Sequence, residues 1–470
     1  MRPYFFDLEN NITKPLYIRL YERIKSDIAS GDLDEDTRMP SIRSLSSTLG
    51  LSRNTIESAY QQLVAEGYII SKPKSGYYVV GTESFASLNI SCSSFSPGPS
   101  VELDKKKGVR YDFSSDYIDT ESFRLNIWKK YIQKALKESA LLFSYGNNSG
   151  EYALRKEIAK YLHLSRGVNC SSEQIIIGAG IQPLLHLFCA MIDPDNSLIA
   201  FENPGFRKAQ YIFSDHRFKI VPIASDDDGI NISSLMASAA RIVYVNPSHQ
   251  FPLGTTMSIK KRNQLIKWAR ENDAMIIEDD YDSEFRYFGK PIPSLQGQNA
   301  DVNVFYLGSF SKLLIPSMRI SYMVVPPRLL NKFEAKISRY NQTSSTIEQL
   351  ALADFIRDGM LDRHIRRMRK LYTSKNTLLI DSVKRIMKDK VKILGKDSGV
   401  HILLELDTPL SLAEVTDRAA QAGVRTAPVS NYYISHKANS SPQVVLSYAG
   451  IKKEDILPAI KLLDSVWFGK

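Results

Sequence analysis

The chain has 470 residues, 43% hydrophobic and 24% charged, with a formal net charge of +10 and a pI near 9.2. That is an ordinary soluble globular composition, long enough for two or three domains that each bury a core. It argues against a membrane protein, since no stretch approaches the ~18 consecutive apolar residues of a span, and the first residues lack the apolar core of a signal peptide. Three cysteines, Cys92, Cys170 and Cys189, have no metal-type spacing and fit a reducing cytoplasm.

The charge is unevenly spread. Residues 1–80 hold ten Lys/Arg and ten Asp/Glu, so the excess lies in residues 81–470, with 51 against 41. Within the first segment the acids cluster from Asp27 to Asp36. The bases fall at Arg38, Arg43, Arg53, Lys72 and Lys74.

Residues 1–80 contain one compact unit from residue 14. Leu16, Leu20, Ile24 and Ile28 recur at helical spacing, and Gly31 ends that helix. Ser41 caps a second helix with Ile42, Leu45 and Leu49 inward, and Gly50 ends it. Ser52 caps a third, whose stripe is Ile56, Tyr60 and Leu63. Two strand-like pieces, 68–70 and 77–80, are joined by a basic turn. Three helices and a hairpin make an α+β winged helix-turn-helix.

Pro40-Ser41-Ile42-Arg43, Ser52-Arg53-Asn54-Thr55, Ala65-Glu66-Gly67-Tyr68 and Ser75-Gly76-Tyr77 resemble the DNA-binding domain of GntR-type bacterial regulators. The resemblance implies double-stranded operator DNA as partner. Arg53 lies in the first turn of the third helix, where recognition helices meet bases or phosphates. Ser52, Asn54 and Thr55 are short hydrogen-bonding neighbours. Arg43 can reach a phosphate, and Lys72, Lys74 and Gly76 shape the wing.

Residues 81–108 read as a flexible linker: serine-rich, broken by Pro97-Gly98-Pro99, and without apolar period. A flexible chain of that length reaches roughly 30 Å. From 109 to 470 short β-branched runs alternate with helices, predicting a mostly parallel, doubly wound α/β sheet. Expected strands are 175–177, 197–201, 218–222, 241–245, 274–278, 302–307 and 320–325. From about 336 long helices and an α+β tail predict a smaller C-terminal subdomain.

Residues with ligand chemistry follow the strand ends, where such sheets bind ligands. Gly178-Ala179-Gly180-Ile181-Gln182 opens an apolar helix and is suited to a phosphate. Phe206 can stack on a pyridine ring. Asp279 and Tyr281 share one face of an extended segment; a carboxylate keeps a pyridine nitrogen protonated, and a phenol can bond a ring hydroxyl. Ser309, Ser311 and Lys312 form a hydroxyl-rich turn around an amine, and Arg319 offers a fork for phosphate. An amine that captures an aldehyde, beside a phosphate clamp, points to pyridoxal 5'-phosphate (PLP) held as a Lys312 Schiff base.

This portion resembles the fold-type I aminotransferases, a PLP-dependent transferase fold. Tyr145 matches the family's tyrosine that reaches the neighbouring subunit's cofactor phosphate, which implies a homodimer. Asn246-Pro247-Ser248-His249-Gln250-Phe251-Pro252-Leu253-Gly254 and Ile277-Glu278-Asp279-Asp280-Tyr281-Asp282-Ser283-Glu284-Phe285 look like the MocR/GabR subfamily, which fuses a GntR-type domain to an aminotransferase-like one. In that family the second domain senses a ligand and the first binds DNA.

The chain departs from the enzymes in places. Val445 stands where they carry a carboxylate-binding arginine in the last strand, Asn431 where GabR-like sensors carry theirs in a loop, and Phe251 where the enzymes have asparagine. Full transamination of α-amino acids is therefore not expected, and no catalytic residue is assigned. Arg207, His249 and Asn431 are candidate effector contacts. Arg363, Arg366, Arg367 and Lys370 share one face of a predicted helix. The expected function is a PLP-dependent regulator that senses an amine, an amino acid or PLP itself. The alternative is an aminotransferase with an accessory DNA-binding domain.

Overall fold

A computed structural model describes residues 14–80, 108–114, 117–194, 198–287, 292–299, 302–434 and 441–469. The linker assigned to 81–108 lies almost wholly outside them. The chain separates into two compact units, Met1–Lys105 and Lys106–Lys470.

In the first unit α1 (Leu16–Ala29), α2 (Ile42–Leu49) and α3 (Arg53–Ala65) precede a hairpin of β1 (Ile69–Lys72) and β2 (Gly76–Val79). Ser41 Oγ accepts from Ser44 N, and Ser52 Oγ from Thr55 N, so both expected N-caps form. Gly50, at φ 65°, ends α2 in the left-handed region that suits glycine. Leu20, Ile24, Leu45, Ile56, Tyr60, Leu63, Ile69 and Val79 fill one core. Leu16 is 41% exposed, because it starts α1 beyond the packed turns.

In the second unit β3 (Tyr111–Asp112) is a short outlying strand. The central sheet uses β4 (Ile175–Gly178), β5 (Leu198–Asn203), β6 (Lys219–Asp226), β7 (Gly229–Ile230), β8 (Ile242–Val245), β9 (Met275–Asp280), β10 (Asn303–Ser309) and β11 (Ser321–Val324). Their order is β4-β11-β10-β9-β8-β5-β6-β7. From β10 through β9, β8 and β5 to β6 every pairing is parallel; β11 runs antiparallel to both neighbours, and β7 antiparallel to β6. Each expected strand is present, with β7 added. A parallel sheet needs cover on both faces. One face packs Leu184, Phe188 and Phe213 against Phe201 and Phe305; the other packs Leu265, Trp268 and Ala269 against Val243 and Ile276.

The C-terminal portion packs helices Met360–Met387 and Lys453–Phe468 on an antiparallel sheet ordered β12-β13-β16-β15. These strands are β12 (Val391–Leu394), β13 (His401–Leu406), β15 (Ala427–Pro428) and β16 (Gln443–Ser447); β14 (Val424–Arg425) instead pairs with β3.

Candidate functional site

In the first unit, Arg53 and Asn54 are exposed in the first turn of α3, and Arg43 is exposed in the first turn of α2. Ser52 and Thr55 share a hydroxyl–hydroxyl bond of 2.8 Å, so their first duty is the helix cap. Lys74 sits at the hairpin tip with φ 60°, and Gly76, with φ 113°, opens β2. Lys72 is less open than its sequence position suggests. Its ammonium lies 3.4 Å from Asp36 and 4.4 Å from the Tyr78 ring centroid. The acids are therefore not wholly separate from the wing bases.

In the second unit a cavity of about 280 Å³ opens at the carboxyl ends of the parallel strands. Nine of the ten expected cofactor residues line it: Gly180, Gln182, Phe206, Asp279, Tyr281, Ser309, Ser311, Lys312 and Arg319. A larger cavity, about 440 Å³, borders Gly178 and His186 but among the described residues has no amine, guanidinium or carboxylate on its wall, so the smaller one is the candidate site.

The parallel register explains the convergence. β9 ends at Asp280 and β10 beside it at Ser309, with Leu307 opposite Asp279. Lys312 follows directly, half-buried in the turn that leads to β11. Ser309 Oγ receives the Ser321 hydroxyl at 2.9 Å and the Ser311 N–H at 3.2 Å. His364 Nε2 lies 2.7 Å from the Leu313 carbonyl and pins the residue after Lys312.

At one end of the cavity, Gly180 precedes helix Ile181–Met191, whose N-terminus has no side-chain cap. Gly180 has φ 92°, and a Cβ there would lie 2.3 Å from Arg319 Nη2. Arg319 is itself left-handed, at φ 53°, and donates to the Ala179 carbonyl at 3.4 Å. Guanidinium and open helix N–H groups thus face the same small space, an arrangement suited to a dianion.

At the other end Asp279 is 4% exposed. Tyr244 donates to its Oδ2, while Oδ1 is buried without a partner. Burial lifts its carboxyl to about 6, against the pull of Tyr244 and Asn246. Tyr281 lies on the wall, its hydroxyl 3.0 Å from His249 Nδ1, and that nitrogen also faces Asp282 at 3.0 Å. His401, from β13, lines the cavity; burial, then His249 and Lys312, push its pKa well below the ordinary value.

Other expected contacts lie elsewhere. Arg207 donates to Gln210 at 3.2 Å and Tyr211 at 3.1 Å and is not on the cavity wall. His249 is buried behind Tyr281. Asn431 is exposed in the turn Val429–Tyr432, off the wall. Tyr145 is 84% exposed and outside the cavity of its own chain. On the basic helix Arg367 turns inward to the Ser122 carbonyl at 2.6 Å, and Arg369, not Arg367, joins Arg366 and Lys370 around a shallow depression. Sequence reasoning missed Tyr244, Asn246, Lys208, Ser321, Val400 and His401 as site residues. Tyr244, Ser321, Val400 and His401 read as ordinary strand residues, Asn246 only as part of a family motif, and Lys208 as an ordinary surface lysine.

Comparison with known proteins agrees with this two-part architecture. The gntR family of bacterial regulatory proteins matches residues 16–79, and aminotransferase class I and II matches residues 114–463. The "probable rhizopine catabolism regulatory protein MocR" of Rhizobium meliloti is 33% identical over 474 residues, covering 98% of this chain and 95% of that protein. The chain belongs to the MocR subfamily of GntR-type transcriptional regulators. The regulator is also 42% identical, over 98% of both chains, to the uncharacterized HTH-type transcriptional regulator YdeL of Bacillus subtilis. Among solved structures, a multiple substrate aminotransferase from Thermococcus profundus superposes with a TM-score of 0.69 at 25% identity. That match covers 77% of this chain and 91% of that one. Among the described residues, no helix of the regulator is long and apolar enough to cross a membrane.

Proposed function

We propose that this regulator binds PLP in the cavity around Lys312 and couples occupancy of that cavity, by PLP or by an amine or amino acid, to operator binding by α2, α3 and the wing. The observation that carries the reading is the unpartnered Asp279 Oδ1 on the wall that also bears Lys312 and Arg319. A buried carboxylate oxygen without a donor is costly unless a ligand supplies one.

The residues fit the cofactor at each end. Arg319, Ser309, Ser311 and the N–H groups after Gly180 would hold the phosphate. Asp279, oriented by Tyr244, would hold a proton at the pyridine nitrogen. The Tyr281 hydroxyl would meet the ring hydroxyl, and Phe206 would cover a ring face. Bound PLP supplies an aldehyde that amines capture, and a visible absorbance that reports the capture. Lys312 is the resident amine. A homodimer is part of the proposal: Phe143 and Tyr145 are 93% and 84% exposed on one short stretch, a surface suited to a partner.

An effector can shift DNA affinity only through unequal affinity for two arrangements of the protein. The test is a spectral titration of the purified regulator with PLP, then with amines, with and without its promoter DNA. A visible band that survives desalting and is absent in Lys312→Ala is expected. An equal response in Lys312→Ala would sink the cofactor assignment. Sustained turnover of an amino donor and a keto acceptor would favour the aminotransferase reading instead.

A further inference from the structure

We infer that the effector read beside Lys312 is an amine with an uncharged, aromatic or apolar body, and not an amino acid. The inference rests on the PLP reading of the same cavity and adds the chemical class of the second ligand.

The argument begins with the cations. Among the described residues the wall carries three: Lys208, Lys312 and Arg319. Lys312 and Arg319 are committed to the aldehyde and the phosphate. Lys208 is exposed, and an ion pair formed in water adds little. Two other arginines are directed elsewhere. Arg207 spans Gln210 and Tyr211, with its guanidinium 4.9 Å from the Tyr211 ring centroid. Arg425 is half exposed, 3.9 Å from Asp112. Val445 is 1% exposed in an apolar cluster with Leu403 and Val429. Among the described residues of one protomer, a carboxylate entering this cavity would lose hydration and meet no buried cation.

The remaining wall is built for a different guest. Phe251 lies edge-on to Tyr432 at 4.7 Å, to His401 at 5.4 Å and to Tyr281 at 6.2 Å. Val400 continues the same surface. His401 Nε2 is 3.1 Å from the Pro252 carbonyl, which makes that nitrogen the protonated one of a neutral ring. Its other nitrogen is then an acceptor, which offers nothing to a carboxylate. Phe251 joins Tyr281, just beyond β9 of the central sheet, to His401 and Tyr432 of the C-terminal portion, so a guest packed on it touches both parts of the unit.

The experiment uses the full-length regulator loaded with PLP and desalted. Matched pairs are titrated, phenethylamine against phenylalanine and tyramine against tyrosine, following visible absorbance and promoter-DNA affinity. Each amine should act at a concentration at least tenfold below its amino acid, and Phe251→Ala should bring that ratio towards one. An amino acid that acts at an equal or lower concentration would overturn the inference. So would a PLP band that no amine perturbs, which would leave PLP as the ligand. Failure to form the band at all would overturn the cofactor reading beneath it.

Discussion

Tyr244 hydrogen-bonds the Asp279 carboxylate from the neighbouring strand. Tyr244 lies opposite Ile277 in the parallel register of β8 and β9, so its hydroxyl reaches the residue two further on. Asn246 donates to the Asp279 carbonyl at 2.9 Å and fixes the backbone as well. One carboxylate oxygen is thereby held, and the other is buried without a partner. Phe201 stacks on Tyr244 at 5.1 Å and keeps the phenol in place.

Removing that hydroxyl should weaken PLP binding without dismantling the fold. Tyr244→Phe deletes one hydrogen bond to a charged group, worth about 1.5–3 kcal/mol, and so a loss of roughly tenfold or more in PLP affinity. Asp279→Asn should cost more, because it removes the charge itself. Equilibrium dialysis with PLP reads both; unchanged affinity in Tyr244→Phe would show that Asp279 needs no orienting partner.

Gly180→Ala tests the anion end. The new Cβ would sit 2.3 Å from Arg319 Nη2 at a φ of 92° that alanine rarely adopts. Arg319 must shift, and PLP affinity should fall while pyridoxal, which lacks the phosphate, loses little. Equal losses for both ligands would contradict a phosphate site there.

A pH test concerns His364. Burial, with a smaller contribution from Arg367, depresses its pKa to about 4, against the Leu313 carbonyl that favours the charged form. Above the ordinary value of 6.5 the ring is neutral in both folded and unfolded chains. Between 6.5 and 4 only the unfolded chain binds the proton, so stability is lost as pH falls through that window. The loss at pH 4.5 is on the order of 2–3 kcal/mol. His364→Gln should remove that part of the acid slope, measured as the difference in denaturant unfolding between pH 7 and pH 4.5. An identical slope in the variant would place the acid sensitivity elsewhere.

On the DNA side, Arg43→Ala, Arg53→Ala and Lys74→Ala should each weaken promoter binding. A side chain that neutralises a phosphate should, when truncated, also reduce the slope of log affinity against log salt by about 1. Lys72→Ala should do less, because Lys72 is already engaged by Asp36 and the Tyr78 ring. A Lys72 effect as large as that of Arg53 would mean that DNA pulls the wing lysine from those partners.

Much of the molecule was legible in order along the chain. Ser41 and Ser52 announced their helices because a short hydroxyl can satisfy an open N–H locally. The strands of the central sheet announced themselves as short β-branched runs, and the cavity-lining turns followed because they begin where those runs stop. Gly180, Phe206, Asp279, Ser309 and Lys312 could be named because each needs only its own strand end to be placed.

What lay across the chain was decided by tertiary structure. Tyr244 reads as core until β8 is laid beside β9, 35 residues apart at the bond to Asp279. His401 joins the cavity only because β13 packs back towards Pro252, 149 residues earlier. Arg207 and Arg367 looked available in the sequence. Their long side chains instead found Gln210, Tyr211 and Ser122. Spacing along a strand or helix is set by local backbone geometry. The direction of a charged side chain is set by the acceptor that packing brings within reach, and no local pattern records it.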